Sequence, residues 1–284
     1  MILNQAKHLA SHRLSQEGID DALFEAELLI CHALKLSQTQ LYTEFDRILT
    51  TAEMNRIREL VQHRLQHEPT AYILKQTEFY GIDFYIDQRV FIPRPETELL
   101  VEETLTSTSH CFQKSTITIA DVGTGSGAIA VTLALALPQA RIYAIDISDL
   151  ALQVAAINCQ RHKVAKQIKL LQGSLLEPLS EPVDIILANL PYIKDSELEL
   201  LSPEIINFEA TTALAGGEDG LDKIRTLLIQ IPGKIRSKGC ILIEIAQGQA
   251  QAITSLTKNY LPQSSIELIP DLSGIDRVAK ICLP

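Results

Sequence analysis

The sequence predicts an α/β protein in which a doubly wound, largely parallel sheet is closed by a C-terminal antiparallel hairpin, with a small N-terminal helical domain joined to it by a β-hairpin linker. Three observations carry that expectation. The first seventy or so residues show helical spacing and capping signals without strand patterns; from residue 116 short β-branched runs alternate with helical ones; and the chain closes on two strand-like runs joined by a turn. A length of 284 residues fits a main domain with a smaller one attached.

In the helical region Leu23, Ala26, Ile30, Ala33 and Leu34 recur at helical spacing behind Asp20, a candidate cap. Ser37 with Gln40 and Thr50 with Glu53 have the spacing of capping boxes, and the last helix is expected to stop before Pro69. Residues 78–92, EFYGIDFYIDQRVFI, are aromatic and β-branched, with a break at Gly81 and a turn signal at Asp87-Gln88, which predicts a strand pair. Pro95 followed by Glu96 and Glu98 suits the first turn of a helix, where proline needs no amide donor and acids meet the positive end of the dipole. The expected divisions are 1–75 for the helical domain, 76–95 for the linker and 96–284 for the sheet domain.

The sheet domain reads in order as TITIADVG, AIAVTLALAL, RIYAID, DLALQVAAINCQRH, QIKLLQG, VDIILANL, a long helical stretch from Asp219, and CILIEIA. SSIELIPD and DRVAKICL, joined by DLSGID, then give the antiparallel hairpin.

Composition narrows the function classes. Hydrophobic residues at 46% and charged residues at 21% are those of an ordinary globular protein. A formal net charge of −10 argues against direct nucleic-acid binding, which needs a basic stripe to release counterions, and suits a basic protein partner. No apolar run reaches spanning length and MILNQAKHLASHRL lacks the apolar core of a signal peptide, so the expectation is a cytoplasmic monomer away from membranes. The five cysteines form no CxxC pair, and the pairs His8/His12 and His63/His67 come without an HExxH pattern, so no metal site is expected.

Asp121-Val122-Gly123-Thr124-Gly125-Ser126-Gly127-Ala128 follows the first sheet strand and opens a helix, where glycines let the backbone approach a nucleotide cofactor. Asp146 ends the next strand, where a carboxylate accepts both ribose hydroxyls. The loop alone leaves the cofactor open between NAD and S-adenosylmethionine, because Gly123, Gly125 and Ala128 also satisfy the G-x-G-x-x-A fingerprint. The terminal hairpin and the fourth strand favour S-adenosylmethionine.

That fourth strand runs straight into Asn189-Leu190-Pro191-Tyr192. An amide or exocyclic amine nitrogen is a poor nucleophile because its lone pair is delocalised, so an enzyme must hold the NH2 group with the lone pair turned toward the methyl donor. Asn189 has a side-chain oxygen to accept one N–H and Leu190 a backbone carbonyl to accept the other. Pro191 stiffens the turn, and Tyr192 offers a flat face to the planar group.

The chain resembles the release-factor glutamine methyltransferase family over roughly residues 65–280, through EFYGIDFYID, FIPRPETELLVE, DVGTGSGAIA, AIDISDLAL, NLPYI, ALAGGEDGLD, ILIEIAQGQ and DLSGIDR. The resemblance implies a Rossmann-like class I methyltransferase sheet and methyl transfer from S-adenosylmethionine to the glutamine amide of the GGQ loop in class 1 peptide chain release factors. It implies that Gly123, Thr124, Gly125, Ser126, Gly127, Asp146, Leu175 and Asn189 bind the cofactor, that Asn189 to Tyr192 bind the substrate amide, and that the N-terminal helices grip the release factor. Arg94 and Glu96 are implied either to line the cleft or to pin the linker. Three positions depart from the family pattern: Leu190 replaces the first proline of NPPY, Ser174-Leu175 replaces an acidic residue and an aromatic, and Phe208-Glu209-Ala210 replaces FEP. Two other readings use the same motifs. A DNA or RNA amino-methyltransferase is opposed by the acidic charge, and a non-catalytic cofactor-binding module would require a decayed tetrapeptide.

Overall fold

The computed structural model describes residues 1–111 and 116–284, which fall into two compact units. The first comprises Met1–Gln76 together with Ser202–Phe208; the second comprises Thr77–Leu201 and Glu209–Pro284.

The first unit is all helical: Leu3–Gln16, Ala22–Leu34, Gln38–Thr43, Thr51–Leu65 and Thr70–Leu74, joined by Pro203–Phe208 from much later in the chain. Leu3, Leu14, Leu29, Ile30, Ile57 and Val61 are among the side chains of its core. Both capping boxes form. Ser37 Oγ accepts from the Gln40 N–H at 3.2 Å and Gln40 Oε1 accepts from the Ser37 N–H at 2.9 Å, while Glu53 Oε2 accepts from the Thr50 N–H at 2.9 Å. Each such cap contributes about 1 kcal/mol. Asp20 is not a cap: the helix starts at Ala22 behind Asp21, which adopts a left-handed conformation with no side-chain cap bond. Ile19 is buried in the core there, and the chain turns one residue later. The helix behind Thr50 does stop before Pro69, ending at Leu65, and Pro69 then stands at the N-cap of a further short helix, Thr70–Leu74, a position that needs no proline N–H.

Buried Arg64 explains why a distant segment belongs to this unit. Its Nε donates to Glu25 Oε2 at 3.1 Å and its Nη2 to Glu204 Oε1 at 2.5 Å, so a guanidinium out of water is neutralised from both sides.

The second unit opens with β1 (Thr77–Phe79) and β2 (Ile82–Phe84), an antiparallel pair turned by Tyr80 at φ 54° and Gly81 at φ 69°. Two successive positive φ values make the tight turn that matches strand twist. The Asp87 turn is present, with Asp87 O accepting from the Val90 N–H at 3.1 Å, but residues 85–92 are not strand and the pair is shorter than expected. Pro95–Thr97 forms a 3-10 turn leading into the helix Glu98–Cys111.

Seven strands follow: β3 (Thr118–Val122), β4 (Arg141–Asp146), β5 (Ile168–Gln172), β6 (Val183–Ala188), β7 (Ile235–Glu244), β8 (Ser265–Pro270) and β9 (Asp276–Cys282). Their order is β5-β4-β3-β6-β7-β9-β8, with β9 antiparallel to both neighbours and the other pairings parallel. The sheet is the expected doubly wound, largely parallel one, closed by the expected antiparallel hairpin. Alternate residues feed two cores: Ile185 and Leu187 of β6 join one cluster, Ile186 and Ala188 the other. A strand buried on both faces is largely apolar, which is why VDIILA shows no alternation; its one acid, Asp184, is buried and paired with Arg236 at 2.7 Å.

Two helices differ from expectation. The stretch from Asp219 is helical only over Asp222–Gln230, because Asp219 Oδ1 accepts from the Leu221 N–H at 3.1 Å in a turn before it. Between β7 and β8 lies a helix, Ala250–Tyr260, that the sequence reading passes over; it buries only Ile253 and Thr257, a stripe too narrow to declare itself in a polar segment. Among the described residues no helix is long and apolar enough to cross a membrane.

Candidate active site

The carboxyl ends of β3, β4, β6 and β7 bring Gly123, Asp146, Asn189 and Glu244 to one edge of the sheet, where open α/β sheets bind ligands. Ile145 O accepts from the N–H groups of Gly123 and Thr124 at 2.8 and 2.9 Å and ties the glycine loop to β4. Gly123, Gly125 and Gly127 all have positive φ, yet they serve different ends. A Cβ at Gly123 would lie 3.2 Å from Leu190 Cδ2, and one at Gly127 would lie 3.2 Å from Ala155 Cβ. A Cβ at Gly125 would meet nothing closer than 4.0 Å. The outer glycines thus permit close packing, and the middle one presents bare backbone.

Asp146 receives the Gly125 N–H on Oδ2 and the Ser148 N–H on Oδ1, both at 2.9 Å. Its carboxylate is oriented from the protein side and keeps lone pairs for further donors. Thr124 Oγ1 donates at 2.6 Å to Asp121, whose carboxyl is pushed up to about 7 by complete burial. Buried Ser126 offers its carbonyl to Asn158 Nδ2 at 2.8 Å, and Asn158 also exchanges hydrogen bonds with the Tyr85 backbone, bracing the loop from behind. Leu175, left-handed at φ 51°, follows β5 and packs half-buried against the second core cluster.

In the tetrapeptide, Asn189 Nδ2 donates to Thr97 Oγ1 at 2.9 Å. Leu190 is buried and Pro191 half-buried. Tyr192 O–H donates at 3.1 Å to Glu244 Oε1 at the end of β7, and burial together with that carboxyl drives the phenol well above its ordinary range. The Tyr192 carbonyl accepts from Gln249 Nε2 at 3.2 Å, as does the Gly220 carbonyl at 3.2 Å. Gly216 and Gly220 lie so close to Tyr192 that a Cβ would stand 2.8 Å from its Cα or 2.3 Å from its O. The tetrapeptide is therefore clamped from outside by a glycine loop and a buried glutamine.

The first 70 residues or so match a family model described as the PrmC N-terminal domain, over residues 5–74, and residues 99–211 match that of ribosomal protein L11 methyltransferase. The chain is 37% identical to the release factor glutamine methyltransferase of Geobacter sulfurreducens, over 93% of this chain and 91% of that one. It is 38% identical to that of Moorella thermoacetica, over 98% and 97%. The chain belongs to the release factor glutamine methyltransferase family. Among solved structures, a methyltransferase from Pyrococcus furiosus (TM-score 0.53, 15% identity, 72% of this chain and 89% of that one) has the same fold. So does the hMettl16 catalytic domain solved with a MAT2A 3'UTR hairpin (TM-score 0.57, 15% identity, 81% of each chain).

Against that family pattern, the departure at residue 190 is accommodated by packing: the leucine is buried in the second core cluster with Cδ2 facing the Gly123 backbone. Ala210 leaves Glu209 in place, buried and 2.5 Å from Arg94 Nη2. Thr97, Glu244 and Gln249 are residues that the motif reading did not single out. Glu244 had a signal, a carboxylate inside the apolar run ILIEIA; Thr97 and Gln249 had none beyond lying in family segments.

Proposed function

We propose that this chain transfers a methyl group from S-adenosylmethionine to the side-chain amide nitrogen of the glutamine in the GGQ motif of class 1 peptide chain release factors. The observation that carries the reading is Asn189: its side-chain nitrogen is committed to Thr97 at 2.9 Å, which leaves Oδ1 as the group offered to a substrate. Relatives covering nearly the whole chain bear the name of that activity, which supports the choice of substrate.

The residues fit the cofactor. Gly125 presents open backbone, and the fixed Asp146 carboxylate retains acceptors for ribose hydroxyls. The segment from Gly123 to Gly127, with Thr124 and Ser126, would hold the cofactor together with Asp146, Leu175 and Asn189. When bound, the cofactor supplies an electrophilic methyl group on a sulfonium. Asn189 Oδ1 and the Leu190 carbonyl accept the two amide hydrogens of the glutamine, turning the nitrogen lone pair out of conjugation and toward the methyl. Pro191 holds the turn, and the Tyr192 ring packs on the amide plane and excludes water. No general base is required, because the methylated amide nitrogen is acidic enough to lose its proton to solvent. The helical unit supplies contacts to the body of the release factor.

Incubation with labelled cofactor and purified release factor, and separately with DNA, tests this. Label on the GGQ-bearing peptide is expected, and it should fall by at least about tenfold in rate in Asn189→Ala. Label on DNA, or an alanine variant as fast as the parent, rejects the assignment.

A further inference from the structure

Strands β7 and β9 bring together two cysteines that stand 42 positions apart in the chain. Cys240 and Cys282 are directly opposite in the antiparallel register, and both side chains pack on the first core cluster, so they share one face of the sheet. Opposed residues in such a pairing have Cα atoms about 4.5–5.5 Å apart, a span that a disulfide bridges without moving the backbone. Both residues are thiols in this structure, with their sulfurs in hydrogen-bond contact at 3.6 Å. Small rotations about the two Cα–Cβ bonds close that gap to bonding distance.

We propose that Cys240 and Cys282 form an oxidisable dithiol, a modification site that takes a small peroxide and yields a disulfide tying the terminal hairpin to β7. Cys282 reacts first. It is half-buried where Cys240 is only 4% exposed, and its neighbour on the other side, Ser265 of the edge strand β8, is exposed and leaves an approach for a small oxidant. The hydrogen bond with Cys240 lowers the Cys282 thiol below its ordinary range against partial burial, and Lys280, two residues before it on the same face, lowers it further against the charge of Glu267. Cys31 and Cys159 are held the opposite way: burial raises the first and pushes the second up to about 11.

The Cys282 thiolate attacks one peroxide oxygen, the O–O bond breaks and hydroxide leaves, giving a sulfenic acid. Cys240 then attacks that sulfur, the S–O bond breaks, and the departing hydroxide takes the Cys240 proton and leaves as water. Two thiols and one peroxide thus give one disulfide and two waters, the two electrons lost by the sulfurs going to the peroxide oxygens.

The test treats the full, reduced chain with hydrogen peroxide, alkylates the remaining thiols in denaturant and maps the tryptic peptides. The peptide of residues 239–258 should be joined to that of residues 281–284, and dithiothreitol should separate them. Cys282 should lose its thiol at least about tenfold faster than Cys31 and Cys159, a preference that should vanish in the chaotrope-unfolded chain. In Cys240→Ser the reaction should stop at the sulfenic acid, captured on Cys282 by dimedone, whereas the parent should give little of that adduct. Recovery of the two peptides unjoined after Cys31 has reacted overturns the inference. So does a dimedone adduct as abundant in the parent as in Cys240→Ser, or a preference for Cys282 that survives unfolding.

Discussion

Asp146 gives each of its oxygens to a single backbone N–H, at 2.9 Å from Gly125 and Ser148. A carboxylate so held is oriented before any ligand arrives, and removing it costs the orientation of the glycine loop together with the proposed ribose acceptors. Asp146→Ala should weaken S-adenosylmethionine binding by about 1.5–3 kcal/mol, read by calorimetry. An unchanged Kd would move the ribose elsewhere. At Leu190 the backbone carbonyl proposed to accept a substrate hydrogen is carried by a residue whose side chain is buried against Gly123. Leu190→Pro exchanges that anchor for a fixed φ, and kcat should stay within about tenfold of the parent, roughly 1.4 kcal/mol. Complete loss of transfer would mean that the packing, and not the carbonyl, is indispensable. Asp146 and the tetrapeptide were legible in the sequence because each sits at a strand end beside a recognisable loop. Thr97 and Glu244 were not, because their partners come from segments 92 and 52 residues away in the chain, a proximity that only the folded sheet creates.

Among the elements, strands of the parallel sheet are readable because burial on both faces leaves short, mostly apolar β-branched runs, and the capping boxes because their chemistry is local. The helix Ala250–Tyr260 and the start of the helix at Asp222 were missed where a narrow buried stripe or a side-chain turn overrides local pattern. The loop holding Gly216 and Gly220 acts on the tetrapeptide as a unit with Gln249. Gly220→Ala would push a Cβ to 2.3 Å from the Tyr192 carbonyl at φ 76°. Such strain should cost about 1–3 kcal/mol in thermal unfolding and lower kcat more than cofactor affinity. A variant with parental kcat would free Tyr192 of that clamp. Behind the glycine loop, Asp121 has a carboxyl raised to about 7, so the folded state holds its proton more tightly than the unfolded chain does. Its contribution to stability is full below the unfolded value near 4 and is lost as pH rises to about 7. Asp121→Asn should therefore be more stable than the parent at pH 8 relative to pH 4, as measured by denaturant unfolding at the two values.

On the scale of the whole chain, the helical unit has its own core and is completed by Ser202–Phe208, with Arg64 between Glu25 and Glu204. Sequence reading placed the helical domain in one continuous stretch, since nothing local in SPEIINF says that it belongs with residues 1–76. Arg64→Ala leaves two carboxylates facing each other without their cation and should destabilise this unit by about 3–5 kcal/mol. Hydrogen exchange should then quicken in residues 1–76 and 202–208 together while the sheet stays protected. Separate behaviour of the two segments would dissolve the unit. The same arrangement bears on how the protein is made. The five leading helices leave the ribosome long before the segment that completes them, and at about 5–20 residues per second the remaining 130 or so residues take on the order of ten seconds. Through that interval Arg64 has Glu25 but not Glu204, so the nascent helical unit waits, incompletely neutralised, for a strand-forming domain to be threaded out between its parts.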